Sequence, residues 1–414
     1  MNRYPEYKEN GVEWIGEMPG YWNLVMLKYA ARLVYGDTLI SENRENGVVP
    51  VYGSNGIIDT HSSANTLSPA IIIGRKGSLG KIQYSDVPCF VIDTAYYIDK
   101  RTAHVNLRWL YYVLQALKLE RFRNSVLPGL NRKSAESQYL PLITTEEQTQ
   151  IANFLDRKTG QIDELICIKE RQVELLQEQR TALINQAVTK GLDPNVEMKP
   201  SGMEWIGDIP KDWDTVPLTK YLESIIDYRG RTPEKTEDGR FLVTAKNIRS
   251  GQIDYEISQE FTPEDEYQRL MTRGRPKIGD VLFTTEAPLG EVANVDDDSI
   301  ALAQRIIKFR PKSDFLNPYF LKYWILSYSF QSDLQRYATG STAQGIKASK
   351  LCLLKLNLPP LKKQQKIVDY LDQKTQETNE LIAAEQRKIE LLKEYRQSLI
   401  SEAVTGKIDV RNEV

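Results

Sequence analysis

The sequence predicts an α+β fold: two β-rich globular domains in a pseudo-twofold arrangement, joined by two long antiparallel coiled-coil helices. Three observations carry that prediction. The chain repeats its own domain start, it repeats a long proline-free helical segment, and the stretches between are short apolar runs cut by Gly, Pro and Asp.

The first repeat is short and dense. Gly11-Val12-Glu13-Trp14-Ile15-Gly16-Glu17-Met18-Pro19 returns as Gly202-Met203-Glu204-Trp205-Ile206-Gly207-Asp208-Ile209-Pro210, followed in both copies by tryptophan, Trp22 and Trp213. The offset is about 191 positions, and the four tryptophans read as packing for each domain start. The second repeat aligns residues 151–189 without gaps on 367–405, at an offset of about 216. The two middles share little sequence, and the second is about 25 residues longer.

The repeated closing segments read as helices. Ile166, Lys169, Val173, Leu176, Arg180, Leu183 and Ala187 step by three and four, as do Ile382, Glu385, Ile389, Leu392, Arg396, Leu399 and Ala403. That is a heptad seam with polar interruptions, suited to pairing one long helix with another. Leu165, Ile168 and Leu175 widen the apolar stripe beyond a seam, so each helix is expected to touch something besides its mate. Leu175, Leu176, Leu391 and Leu392 read as core or seam residues. Prolines before each helix, Pro141 and Pro359-Pro360, mark its boundary.

Between the repeats, residues 48–52, 70–73, 81–84 and 89–92 read as strands in the first half, and 241–244, 280–284 and 306–309 in the second. Residues 107–121 and 317–334 interrupt them as helices. The division is a first domain at 1–142, a helix at 143–190, a linker at 191–200, a second domain at 201–358, a helix at 359–406 and a tail at 407–414.

Composition bounds the chemistry. Hydrophobic residues make up 41% and charged residues 27% of 414, a globular balance. No apolar run approaches the ~18–20 residues that cross a bilayer, and residues 1–6 hold no signal-peptide core. Cys89, Cys167 and Cys352 are odd in number and far apart, which implies no disulfide framework. A cytoplasmic location is expected. With His61 and His104 the sole histidines, no His-based metal site is expected.

Net charge is −2, but it is segregated. Residues 100–133 carry about eight basic side chains against Glu120 alone. Arg269, Arg273, Arg275 and Lys277 form a second basic run, and Arg336, Lys347, Lys350 and Lys355 a third. Such runs fit local phosphate-contacting surfaces on a neutral body.

Two motifs invite catalytic readings and fail them. Residues 74–82, Gly-Arg-Lys-Gly-Ser-Leu-Gly-Lys-Ile, superficially follow a phosphate-binding loop, but the spacing is one too long and Ile82 stands where Ser or Thr must reach magnesium. A hairpin meeting DNA phosphate fits better. Asn317-Pro318-Tyr319-Phe320 lacks one proline of the adenine-methyltransferase motif and is explained by Asn at the N-cap and Pro at N1 of a helix.

Taken together, the ordered set resembles the specificity subunit of type I restriction–modification systems, over essentially the whole chain. Glu13-Trp14-Ile15-Gly16 with Pro19 and Trp22 looks like that family's domain start. Pro50-Val51-Tyr52-Gly53-Ser54-Asn55-Gly56 resembles its Gly-rich loop, and residues 74–80 and 285–290 look like two versions of its central turn. Residues 361–372 resemble the start of its repeated helix, where the first copy departs with Thr144-Thr145 in place of Pro360-Leu361.

The resemblance implies two target-recognition domains, each reading one half of an asymmetric, bipartite site on double-stranded DNA. It implies helices that bind two methyltransferase subunits, and restriction/translocation subunits joining through that complex. No catalytic residue and no cofactor is implied for this chain itself. A helix of ~35 residues is ~50 Å long, enough to set two heads one ~34 Å turn of DNA or more apart. Two rival readings are a coiled-coil scaffold without sequence readout and a self-contained DNA methyltransferase or nuclease.

Side chains with two-pronged hydrogen bonding are the candidate base readers: Arg for guanine, Asn or Gln for adenine. In the first domain the expected DNA-contacting residues are Tyr52, Ser54, Asn55, Arg75, Lys76, Ser78, Lys81, Asn131, Arg132 and Lys133. In the second they are Tyr228, Arg229, Arg231, Lys246, Asn247, Ser341, Thr342, Gln344 and Lys347. Gly beside several of them lets backbone approach the duplex.

Overall fold

A computed structural model describes residues 2–122, 129–230, 232–340, 344–411 and 413. The chain divides into two compact units, Met1–Glu170 with Gln386–Val414, and Arg171–Glu385.

In the first unit a four-stranded antiparallel sheet runs in the order Val34–Tyr35, Ala95–Asp99, Ala70–Gly74, Ile82–Ser85. Both central strands are buried along their whole length, because helix Leu107–Leu117 covers one face and a second sheet faces the other. That second sheet orders Gly56–His61, Val49–Gly53 and Phe90–Val91. The helix begins where Asn106 accepts hydrogen bonds from the Arg108 and Trp109 amides, which satisfies donors that no earlier turn can reach. Its Trp109, Leu110, Val113 and Leu114 enter the main core beside Ile71, Ile73 and Ile98.

The second unit rebuilds this plan. Its four-stranded sheet orders Leu222–Asp227, Ile306–Pro311, Val281–Thr285, Leu289–Asn294. Helix Pro318–Leu326 is capped by Asn317, whose side chain accepts from the Tyr319 and Phe320 amides. Asn317-Pro318 is therefore a helix start, as its residue types require. The expected helix over 317–334 divides at Ser327, which caps a second helix, Tyr328–Gln335. The longer middle of this half is spent on a hairpin, Ile248–Arg249 with Gln252–Ile253, and on helix Glu264–Leu270. They share a separate small core with Tyr228, Leu242, Val243 and Met271.

Each unit also holds part of both long helices, Thr145–Lys190 and Leu361–Val404. In the first unit Ile151, Phe154 and Leu155 share a core with Leu399, Ile400 and Ala403, and Arg396 donates to Asp163 at 2.8 and 3.1 Å. In the second, Ile184, Ala187 and Val188 share a core with Ile367, Val368 and Leu371, and Arg180 donates to Asn379 at 2.7 Å. Within each unit the start of one helix meets the end of the other, so they run antiparallel. Leu165, Ile168, Leu175, Leu381 and Leu391 stay 39–54% exposed. For Leu175 and Leu391 this corrects the core-or-seam reading, since they flank the seam and point away from it.

Candidate nucleic-acid interface

In the first unit the turn after strand Ala70–Gly74 folds back on itself, with the Gly80 amide donating to the Gly74 carbonyl at 2.8 Å. A Cβ on Gly74 would lie 2.0 Å from the Ser78 carbonyl oxygen and 2.9 Å from that of Ser54, so only glycine allows this approach. The approach seats residues 74–81 on the tip of the hairpin between Val49–Gly53 and Gly56–His61. There the Lys81 ammonium donates to both the Asn55 carbonyl and its side-chain oxygen at 2.9 Å, and Ser78 donates to the same side chain at 3.3 Å. Ser54, Asn55, Ser78 and Lys81, far apart in sequence, form one cluster. The turn joins two strands rather than a strand and a helix, unlike a nucleotide-binding loop.

A second cluster adjoins it. Arg75, Lys76, Asn131, Arg132 and Lys133 line a concavity of about 700 Å³ with Tyr35 and Tyr96. The Leu130 amide donates to the Arg75 carbonyl at 2.9 Å, which brings the 129–133 segment to the turn. The Arg75 guanidinium is pinned by one bond to the Asp93 carbonyl at 2.9 Å and lies 4.9 Å over the Tyr35 ring. Arg132 lies 5.6 Å over the same ring and is anchored by Glu136 at 3.0 Å. Asn131 caps helix Arg132–Glu136 by accepting from the Ser134 amide at 3.1 Å, which commits its side-chain oxygen. Burial and a hydrogen bond with Tyr35 push the Tyr96 hydroxyl up to about 12, so it adds no negative charge to this basic corner at neutral pH. Lys76, 3.9 Å from Asp93 with both side chains about half exposed, is only loosely held.

The second unit places different side chains on the same backbone corner. The Thr285 amide donates to Arg305 O and the Ile346 amide to Thr285 O, as Arg75 N does to Thr94 O and Leu130 N to Arg75 O. In strand register Asp227 stands where the first unit has Tyr35. Asp227 grips Arg229 through contacts of 2.6–2.9 Å. Burial opposes its ionisation, yet the Arg229 guanidinium and amide hold its carboxyl below the usual carboxylate range. Arg273 donates to the Asp227 and Arg229 carbonyls at 2.7 Å and fixes that loop. Arg305 pairs with Glu286 at 3.0 Å. Lys246, Gln344 and Lys347 are exposed.

Three expected contacts face inward. Asn247 is fully buried; its oxygen accepts from the Thr244 amide and hydroxyl, and its amide donates to the Asp254 and Ser258 carbonyls. No hydrogen-bonding capacity is left for a base. Tyr228 is 4% exposed and its hydroxyl donates to the Gly274 carbonyl, while Tyr52 is 8% exposed within a small core. Arg231, Ser341 and Thr342 lie outside the described residues. Tyr35 and Arg305 belong to the corners and went unread, because an isolated Tyr or Arg carries no signal until its partners across the fold are known. Arg273, read only as one member of a basic run, spends its guanidinium on the Asp227 and Arg229 carbonyls.

Among the described residues, no group of three or more His, Cys, Asp or Glu could hold a metal ion, and no helix is long and apolar enough to cross a membrane.

The comparisons with known proteins converge. A family profile described as the type I restriction modification DNA specificity domain matches residues 22–175 and again residues 210–391. The chain is 24% identical over 423 residues to the type I restriction enzyme MjaVIII specificity subunit of Methanocaldococcus jannaschii, covering 99% of this chain and 91% of that protein. It is 25% identical over 153 residues to the EcoprrI specificity subunit of Escherichia coli, 36% of this chain and 37% of the relative. A solved structure described as "Structural basis underlying complex assembly and conformational transition of the type I R-M system" superimposes with a TM-score of 0.67 at 16% identity, covering 94% of this chain and 99% of that one. That likeness is one of fold. Since the two profile matches together take in most of the sequence, once in each half, the chain belongs to the type I restriction–modification DNA specificity domain family.

Proposed function

We propose that this chain is the DNA sequence-recognition subunit of a type I restriction–modification complex and contributes no catalytic group of its own. Residues 1–142 and 201–358 act as the two target-recognition domains. Each reads one half of an asymmetric, bipartite site on double-stranded DNA through the corner described above. The half exposed Leu165, Ile168, Leu175, Leu381 and Leu391 on the long helices supply apolar surface for two methyltransferase subunits. The restriction subunit joins through them, in the cytoplasm.

One observation carries this reading: the same backbone corner is built twice and furnished differently. Arg75, Asn131 and Arg132 in the first unit are replaced at the equivalent positions of the second by Thr285, Lys347 and Ala348. Equal scaffolds with unequal hydrogen-bonding groups bind unequal sequences. The test is exchange of residues 1–142 for those of a relative, in the complex with its methyltransferase, followed by methylation mapping of a genome. One half of the modified sequence should change and the other persist. An unchanged target would favour a scaffold, and methylation by the chain alone would favour an enzyme.

A further inference from the structure

The two units differ at a second corner, where each long helix ends. Gly406 and Gly191, at φ of 75° and 80°, end the helices against Trp22 and Trp213, the equivalent tryptophans of the two domain starts. In the first unit this corner is filled from within. The segment through Asn2 and the tail through Asp409 pair there as an antiparallel bridge, and Tyr4, Ile408 and Val410 are buried. Tyr4 lies edge-on to Trp22 at 5.7 Å. Glu147, 5% exposed, accepts from the Tyr4 and Tyr21 hydroxyls at 3.0 and 2.7 Å and from the Trp22 indole N–H at 3.2 Å.

In the second unit one connector, residues 191–200, does the work of those two segments, and a cavity of about 310 Å³ remains. Its apolar walls are Trp213, Pro210, Val196 and Ile367. Lys190, Lys363, Lys366 and Asp193 also line it. In the helix repeat Lys363 occupies the place of Glu147, and an ammonium has no lone pair to offer the Trp213 indole N–H. Lys190 is engaged by the Asp208 carbonyl and Lys363 by Asp212 at 2.8 Å, whereas Lys366 is exposed. The corner thus lacks two contacts that its counterpart takes from its own chain: an aromatic ring packed on the tryptophan and a carboxylate accepting from the indole N–H.

We propose that this cavity is a docking socket for an acidic segment of a partner protein, which inserts one aromatic side chain beside Trp213 and sets a neighbouring carboxylate against the indole N–H and Lys366. The occupant is polypeptide because the equivalent corner is filled by polypeptide: the N-terminal segment brings the Tyr4 ring onto Trp22, and the helix residue Glu147 accepts from both the Tyr4 hydroxyl and the Trp22 indole N–H. Three lysines against Asp193 and Asp212 select an acidic one. The cavity shares no lining residue with the proposed DNA-reading corners, so the proposal stands whether or not they read DNA.

The full chain is titrated with Ac-Glu-Tyr-Glu-NH2, Ac-Lys-Tyr-Lys-NH2 and 4-hydroxyphenylacetate, by calorimetry and saturation-transfer NMR. The acidic peptide should saturate, with the basic peptide about tenfold weaker or more. Val196→Tyr, which fills the cavity from its own wall, should abolish binding. Lys366→Glu, at an exposed position that leaves folding intact, should weaken it about threefold or more. The proposal is overturned by no saturation at about 5 mM peptide, by equal binding of both peptides, or by binding unaltered in both variants. Tighter binding of 4-hydroxyphenylacetate than of the peptide would make this a small-molecule site and overturn it too.

Discussion

Replacing Arg75 by alanine tests whether the first corner reads a base or merely grips the backbone. Within the protein, the guanidinium spends one Nη on the Asp93 carbonyl at 2.9 Å and rests 4.9 Å over Tyr35. Losing one such hydrogen bond costs ~1 kcal/mol of stability, too little to unfold the unit. Its remaining donors form a fork held in one orientation by Tyr35 and Asp93, which suits paired acceptors on guanine better than a mobile ammonium does. A bidentate base contact is worth ~1–3 kcal/mol, or ~5–150-fold in affinity. The assay is fluorescence anisotropy of the methyltransferase-bound complex on duplexes altered one position at a time, repeated across salt concentrations. Arg75→Ala should lose that factor on the cognate duplex, flatten discrimination at one position of one half-site, and leave the other half-site untouched. A uniform loss on every duplex, with the log–log salt slope reduced by ~0.9, would refute base reading and make Arg75 a phosphate clamp. No loss at all would remove the corner from the DNA.

Three further perturbations follow from the same contacts. Asn247→Ala breaks four internal hydrogen bonds at once and should destabilise the second unit by ~2–4 kcal/mol in urea titration, while the folded fraction keeps its base preference; a stable variant with altered preference would restore Asn247 as a reader. Asp280, 3% exposed, accepts from Arg310 at 2.6 and 2.8 Å and from the fully buried Lys308 at 3.1 Å. Burial opposes its ionisation, but Arg310, the Lys277 amide and Lys308 together hold its carboxyl below the usual range. An acid lowered on folding contributes stability that is complete above its unfolded value of ~3.9 and is lost as pH falls through the folded value. Circular dichroism should therefore show acid unfolding of this unit only well below pH ~4, and Asp280→Asn, which strands Lys308, should cost ~3–5 kcal/mol at neutral pH. Gly74→Ala puts a Cβ 2.0 Å from the Ser78 carbonyl and should lower stability by ~3 kcal/mol in thermal unfolding; a variant of wild-type stability would mean the turn relaxes freely.

Periodicity and repetition made much of the fold legible. The proline-free repeats are the two long helices, and residues 70–73 and 306–309 are central strands. Strand Ala95–Asp99 was not legible, because Ala-Tyr-Tyr-Ile-Asp is buried on both faces and shows no alternation. The site was less readable for a different reason. Charge runs count neighbours along the chain, whereas ion pairs close across the fold. Within the basic run at 100–133, Arg101 is held by Asp99, and Arg108 by Asp156 at 2.6 Å beneath Tyr84 and Tyr111, so neither is a free cation. Lys246-Asn247 reads as a pair of DNA-facing donors, yet the backbone turns the second inward. The cluster of Asn55, Ser78 and Lys81 was found residue by residue, but its unity depends on Gly74.

The physical reason one fold can carry two unlike sets of side chains at this corner lies in which atoms hold it. Leu130 N to Arg75 O, and Ile346 N to Thr285 O, are backbone bonds and make no demand on the side chains of the residues they join. Arg75 can therefore stand where the other unit has Thr285 without loss of the turn. The flanking positions compensate locally: Tyr35 supports a guanidinium that faces the concavity, whereas Asp227 neutralises one of its own. The buried framework has no such freedom. Tyr112 and Tyr323 both donate to an aspartate of a long helix, Asp156 and Asp372, at 2.6 Å, and both lie 3.1 Å from a threonine hydroxyl. A change there strands a buried polar group. Variation is thus inexpensive at the proposed reading corner and costly one layer beneath it, which is the distribution that two different half-sites on a duplicated scaffold would require.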